Sequence, residues 1–149
     1  MSVRYLEDFA PGQTYRAGPL TVTAEAVAAF AREFDPQPFH LDAAAARASP
    51  FGGLAASGWH TGALNMRLVV ASDLRPAGGV LGVGLDELRW PRAVRPGDAL
   101  RVEIEILAVR PSQSRPGEGL VKLRTTTLNQ HDQPVQVMVA NILVPRRPA

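Results

Sequence analysis

The stretch Ser57–Ser72, SGWHTGALNMRLVVAS, decides the fold. It reads as a helix with apolar residues on most sides, and such a helix is normally buried. Its first turns carry Gly58, Thr61, Gly62 and Ala63, small enough for another backbone to come close. Beyond it the pattern changes from helical to alternating. In LRVEIEILAV, residues 100–109, Leu100, Val102, Ile104, Ile106 and Ala108 fall on one face, which predicts a half-buried strand. Arg95-Pro96-Gly97-Asp98 is a turn leading into it. Residues 80–90 and 120–128 predict two further strands, the first with a bulge near Asp86-Glu87. Asn129–Gln133 reads as a polar hairpin turn, followed by a nearly continuous apolar strand over 135–144. Helices come early and long antiparallel strands late, so the class is α+β, a sheet wrapped around one buried helix.

On the N-terminal side, residues 14–22 predict a short strand interrupted by Gly18 and Pro19. Thr23 is placed to cap a helix, with Val22 and Val27 in the staple positions around it. Val27, Phe30, Ala31 and Phe34 then form an apolar stripe at helical spacing. Asp35-Pro36 ends that helix, because the residue before proline is pushed out of the α region. A loop, PQPFH, leads to a short Ala-rich helix over about 42–48 with Asp42 as its cap. Pro50-Phe51-Gly52-Gly53 is a turn.

A chain of 149 residues suits one domain, 1–149, and no repeat or linker divides it. Hydrophobic residues at 46% and charged residues at 20% exclude a disordered chain. The net charge of +2 gives no sign of a nucleic-acid or membrane surface. Arg89, Arg92, Arg95 and Arg101 are read as a solvated face, although they are placed to meet an anionic tail. There is no cysteine, which removes disulfides and thiolate catalysis. The segment MSVRYLEDFAPGQ lacks a long apolar run and carries Glu7 and Asp8, so no signal peptide is expected. With no apolar stretch near about 18 residues, no membrane span is expected and the cytoplasm is the expected address.

The chemistry lies in Phe34-Asp35-Pro36-Gln37-Pro38-Phe39-His40-Leu41-Asp42. Two prolines stiffen the backbone between a carboxylate and an imidazole, and a stiff loop holding two titratable groups suits general acid–base catalysis. Read from the residues alone, the pair is only suggestive, since Asp before Pro is common at helix ends and a His beside Phe is often packed in a core. His60 is expected to be packed and hydrogen-bonded on the buried helix, and His131 solvated in its hairpin. Phe39 and Trp59 suit either an acyl pocket or aromatic core filler. His40-x-Asp42 has no third ligand at metal-binding spacing. Gly78-Gly79 and Gly82-x-Gly84 lack the strand–loop–helix context of a phosphate loop.

The same stretch resembles the hydratase motif Asp-x-Asn-Pro-x-His of the MaoC-like family, which includes (R)-specific enoyl-CoA hydratases. Phe51-Gly52-Gly53 and Ala56-Ser57-Gly58 follow at the family's spacing, and Asp8–Gln13 and Val94–Asp98 are also typical. The resemblance implies a hotdog fold, with Asp35 and His40 as the acid–base pair and Gly58 as the oxyanion-hole residue. Gln37, Phe39 and Trp59 are expected beside it as substrate-binding residues. Implied too are an acyl-CoA or acyl-carrier-protein thioester as substrate, no metal or redox cofactor, and a homodimer. Gln37 departs from the motif's Asn by one methylene, and either keeps the amide's orienting role or loses its reach. Ser57 stands where the family often has His, and Ala63 where some members carry Ser. Two rivals share the fold. One is a thioesterase, against which stands the absence of Asp or Glu from Trp59 to Ser72. The other is a non-catalytic partner subunit of a heteromeric dehydratase, against which stands the retention of Asp35, His40 and Gly58 together.

Overall fold

The computed structural model describes residues 2–149. After a 3-10 turn at Leu6–Asp8 come strand β1 (Thr14–Thr21) and helices α1 (Ala24–Phe34), α2 (Pro38–Leu41), α3 (Ala43–Arg47) and α4 (Gly58–Ala71). Strands β2 (Leu81–Arg89), β3 (Ala99–Pro111), β4 (Glu118–Leu128) and β5 (Pro134–Pro145) complete the chain. The five strands form one antiparallel sheet in the order β1-β3-β4-β5-β2, and it wraps around α4. This is the α+β arrangement that the buried helix and the alternating strands predict.

Local chemistry sets most element boundaries. Thr23 Oγ1 accepts the Ala26 N–H at 3.1 Å, and the flanking Val22 and Val27 are both buried. Asp42 Oδ1 accepts the Ala44 N–H at 3.0 Å and starts α3. Asn129 Oδ1 accepts the N–H groups of His131 at 2.9 Å and Gln133 at 3.1 Å, closing the hairpin and leaving His131 exposed. At 95–98, Pro96 and the positive-φ Gly97 (92°) occupy the positions a type II turn requires of them.

Four expectations need correction. Leu100, Val102, Ile104 and Ile106 are buried, but Ala108 points out, because a register shift between Ile106 and Ala108 inverts the alternation. On α1, Val27 and Ala31 are buried while Phe34 is 65% exposed, since the last turn runs past the edge of the core. The segment PQPFH is not all loop: Pro38, at the first helical position, starts the single turn α2. Finally, α4 buries one face only, through His60, Thr61, Asn65, Leu68 and Val69, and leaves Trp59, Met66 and Val70 exposed. Among the described residues no helix is long and apolar enough to cross a membrane.

The two ends of the chain are tied together. Glu7 accepts from the Arg147 backbone N–H at 2.8 Å and from the Arg146 guanidinium at 3.1 Å. Arg147 also bonds Asp8 and lies over the Tyr5 ring. The Arg147 amide, then Glu7's own amide and Arg146, hold the Glu7 carboxyl down at about 2, against an ordinary 4.5. A depressed carboxylate stabilises fully above its unfolded pKa and loses that contribution as pH falls through its folded value. Replacement by Gln at position 7 is therefore expected to lower the urea midpoint at pH 7. The difference between the two proteins should shrink below pH 4.5 and vanish near pH 2.

Candidate active site

Asp35 caps α1, with φ −152° and ψ 65°, where Pro36 forbids another helical turn. The chain then reverses tightly: the Gln37 N–H donates to Asp35 O at 2.8 Å and the His40 N–H to Gln37 O at 3.0 Å. The turn brings two side chains five positions apart in sequence face to face, with His40 Nε2 3.2 Å from Asp35 Oδ2. His40 is almost fully enclosed, its side chain 4% exposed, while that of Asp35 keeps 17%. Phe39 and Phe51 pack edge-on and tilted against the imidazole.

On its other side His40 Nδ1 lies 2.6 Å from Ala55 O. A carbonyl only accepts, so Nδ1 carries a proton. In a neutral ring the Nε2 lone pair then lies on the side that faces Asp35 Oδ2. Asp35 and His40 thus stand close enough to act together on one water.

Two donors tune the carboxylate. Gln37 Nε2 donates to Asp35 Oδ1 at 2.5 Å, so the longer amide keeps its reach. Burial pushes the Asp35 carboxyl up, but hydrogen bonds from Gln37 and Ser57, with His40 alongside, outweigh it and hold the group below its usual value. Replacing Gln37 by Ala should raise the Asp35 pKa. The acid limb of any pH–rate profile governed by Asp35 then moves to higher pH, a shift that a kcat/KM titration detects.

Ser57 is the site residue that sequence reasoning missed, being read there only as a departure from His. Besides lowering the Asp35 pKa, its Oγ accepts the Trp59 N–H at 3.2 Å and so caps α4. The signal was present in the sequence, as a Ser immediately before a helix start. The next residue, Gly58, opens the helix, and no group among the described residues accepts its N–H. A Cβ there would lie 2.7, 2.8 and 2.9 Å from Cε2, Cδ2 and Cζ2 of Trp90. The indole is pinned by its Nε1–H, which donates to Gln136 Oε1 at 2.9 Å, and it meets Trp59 edge-on.

Asp35, Gln37, Phe39, His40, Gly58 and Trp59 all border one cavity of about 410 Å³, together with Trp90 and Arg92. Of the four arginines read as a solvated face, Arg92 alone borders it. Arg89 pairs with Glu87, Arg101 with Asp132, and Arg95 reaches backbone carbonyls. His60 does not line this cavity. It is buried and stacks on Phe30 with centroids 4.9 Å apart, and Nδ1 has no hydrogen-bond partner, contrary to the expected satisfied histidine. Burial lowers its pKa.

These features recur in known proteins. A family model described as "MaoC like domain" matches residues 8–128. The structure of a MaoC-like dehydratase from Rhodospirillum rubrum is 53% identical, covers 98% of this chain and 99% of its own, and superposes with a TM-score of 0.94. The (R)-hydratase PhaJ1 from Pseudomonas aeruginosa is 28% identical over 96% of this chain and 86% of its own, with a TM-score of 0.77. An (R)-hydratase from A. caviae involved in PHA biosynthesis is 26% identical over 93% and 99%, with a TM-score of 0.75. A hotdog sheet around one helix, matched to the family over most of its length, makes this chain a member of the MaoC-like domain family, which includes dehydratases and hydratases.

Proposed function

We propose that this chain reversibly hydrates a trans-2-enoyl thioester of coenzyme A or acyl carrier protein to the 3-hydroxyacyl thioester. The observation that carries this reading is the 3.2 Å contact of His40 Nε2 with Asp35 Oδ2, in a cavity also lined by Gly58. The bond changes need only proton transfer. Water oxygen adds at Cβ while the pair takes one of its protons, and the pair returns a proton to Cα. Charge passes through the thioester oxygen as the carbanion forms. The Gly58 N–H, at the positive end of α4, stabilises it there. Phe39 and Trp59 line the path of the acyl group, and Gln37 holds Asp35 in its ionised form.

The working unit is a homodimer. Strand β2 is a sheet edge carrying Leu81, Val83 and Leu85, each more than half exposed, and α4 adds Trp59, Met66 and Val70. A second copy of the chain would cover these apolar side chains and the unpaired edge, which a lone chain leaves in water.

The test is the purified protein with crotonyl-CoA and longer enoyl-CoAs, following enoyl absorbance beside free thiol. Loss of absorbance without thiol release is the expected result. Thiol release without hydration would establish a thioesterase instead. Silence on every thioester, relieved only by a second hotdog chain, would make this a partner subunit.

A further inference from the structure

We propose that Arg95 is a positioning residue that fixes the tautomer of His40 by holding the backbone segment 51–57 against it. The functional weight of this inference rests on the acid–base reading of His40; its structural content does not. The segment has no regular secondary structure, yet it supplies much of the site. Phe51 packs on the imidazole, Ala55 O receives Nδ1, and Ser57 leads into Gly58. A stretch with neither helix nor sheet partners needs something else to hold its carbonyls in register.

Arg95 does so. Its Nη1 donates to Gly53 O at 2.8 Å and Leu54 O at 3.2 Å, and its Nη2 donates to Phe51 O. Three carbonyls in four residues are thus gathered by one planar fork, directly before the carbonyl that orients His40. Beside it, the Ala56 N–H donates to Val94 O at 2.8 Å. Arg95 is itself held, since its N–H donates to Asp98 Oδ2 at 2.8 Å and Asp98 Oδ1 accepts from Gln130 at 3.0 Å. A rigid turn therefore carries the guanidinium, and the guanidinium carries the segment. A lysine keeps the charge but has no planar fork for three carbonyls.

Without the fork, Ala55 O is free to shift and the Nδ1–H loses its fixed acceptor. The ring then gains access to the Nε2–H form, which donates to Asp35 and leaves the pair unable to act on water. Asp35 and Arg92 are the other charged groups on His40's cavity, and neither contacts Nδ1 in the structure.

The experiment compares wild type, Arg95→Met, Arg95→Lys and, as control, Arg101→Met by ¹⁵N-histidine NMR and by enoyl-CoA hydration. The chain has three histidines, and a His40→Gln sample assigns the signal. Wild type should show His40 as the Nδ1–H tautomer. Both Arg95 variants should show a mixed or inverted tautomer, with kcat reduced by about 10²-fold, the scale of a small misplacement, and KM little changed. Arg101→Met should match wild type in both. A native tautomer in the folded Arg95 variants overturns the proposal, whatever their activity. If Arg95→Met does not fold, Arg95→Lys is read by the same criterion. Inert wild type with a shifted tautomer in the variants would remove the hydratase reading and leave the positioning role standing.

Discussion

Asp35→Asn and His40→Gln are each expected to lower the hydration rate by about 10²–10⁴-fold, the range for loss of a positioned acid or base. Neither should disturb the fold. Asn keeps the shape of Asp35 and an oxygen for Gln37 to donate to, but it holds no proton at neutral pH. Gln at position 40 lacks a titrating group while still filling part of the space between Asp35 and Ala55. Since Oδ2 and Nε2 lie 3.2 Å apart and serve one reaction as a unit, the two losses should not add. The double variant should be about as slow as the worse single one. Single-turnover rates on crotonyl-CoA, with thermal melts confirming folding, measure this. Full rates in both single variants would remove the pair from the mechanism.

Gly58→Ala has the second large effect, and it acts on stability and rate together. The added Cβ meets three ring atoms of Trp90 at 2.7–2.9 Å, inside van der Waals contact. The indole cannot simply slide away, because its N–H is bonded to Gln136, which is fully buried. Overpacking of this kind costs about 1–3 kcal/mol, and breaking the bond adds about 1–3 kcal/mol for a buried polar group left alone. Gln136 Nε2 already lacks a partner, so breaking the Trp90 bond leaves neither end of the buried amide paired. A displaced indole also changes access to the Gly58 N–H, and loss of one oxyanion donor slows such reactions by about 10²–10³-fold. Urea midpoints and kcat should both fall. In a Trp90→Ala background the added methyl should be nearly neutral for stability, which isolates the contact. An unchanged midpoint for Gly58→Ala alone would show that the indole yields freely.

Much of this could be read along the chain. Thr23, Asp42 and Asn129 act where their side-chain chemistry says they should, because a cap or an Asx turn involves only a few neighbouring residues. The alternation in β3 is legible up to Ile106 and fails at Ala108, since a bulge is a property of two strands and neither strand alone announces it. Phe34 belongs to an apolar stripe by spacing, yet is exposed, because spacing defines a face and not how far the core extends beneath it. The Asp35–His40 pair was visible as two groups on a stiff segment, but which imidazole nitrogen carries the proton was not. That follows from Ala55 O taking the proton on Nδ1, which no local pattern encodes.

The sequence by itself therefore determined the central helix, the meander of strands and the caps through periodicity and short-range hydrogen bonding, while the resemblance of one motif singled out Asp35 and His40. Only the tertiary structure decided why residue 58 must be glycine, that Gln37 and Ser57 share in tuning Asp35, and that Arg95 bonds the carbonyls of Phe51, Gly53 and Leu54. Each of these depends on segments distant in the chain meeting at hydrogen-bond or van der Waals range. Such contacts are set by how the sheet closes around α4, to which every residue of the core contributes.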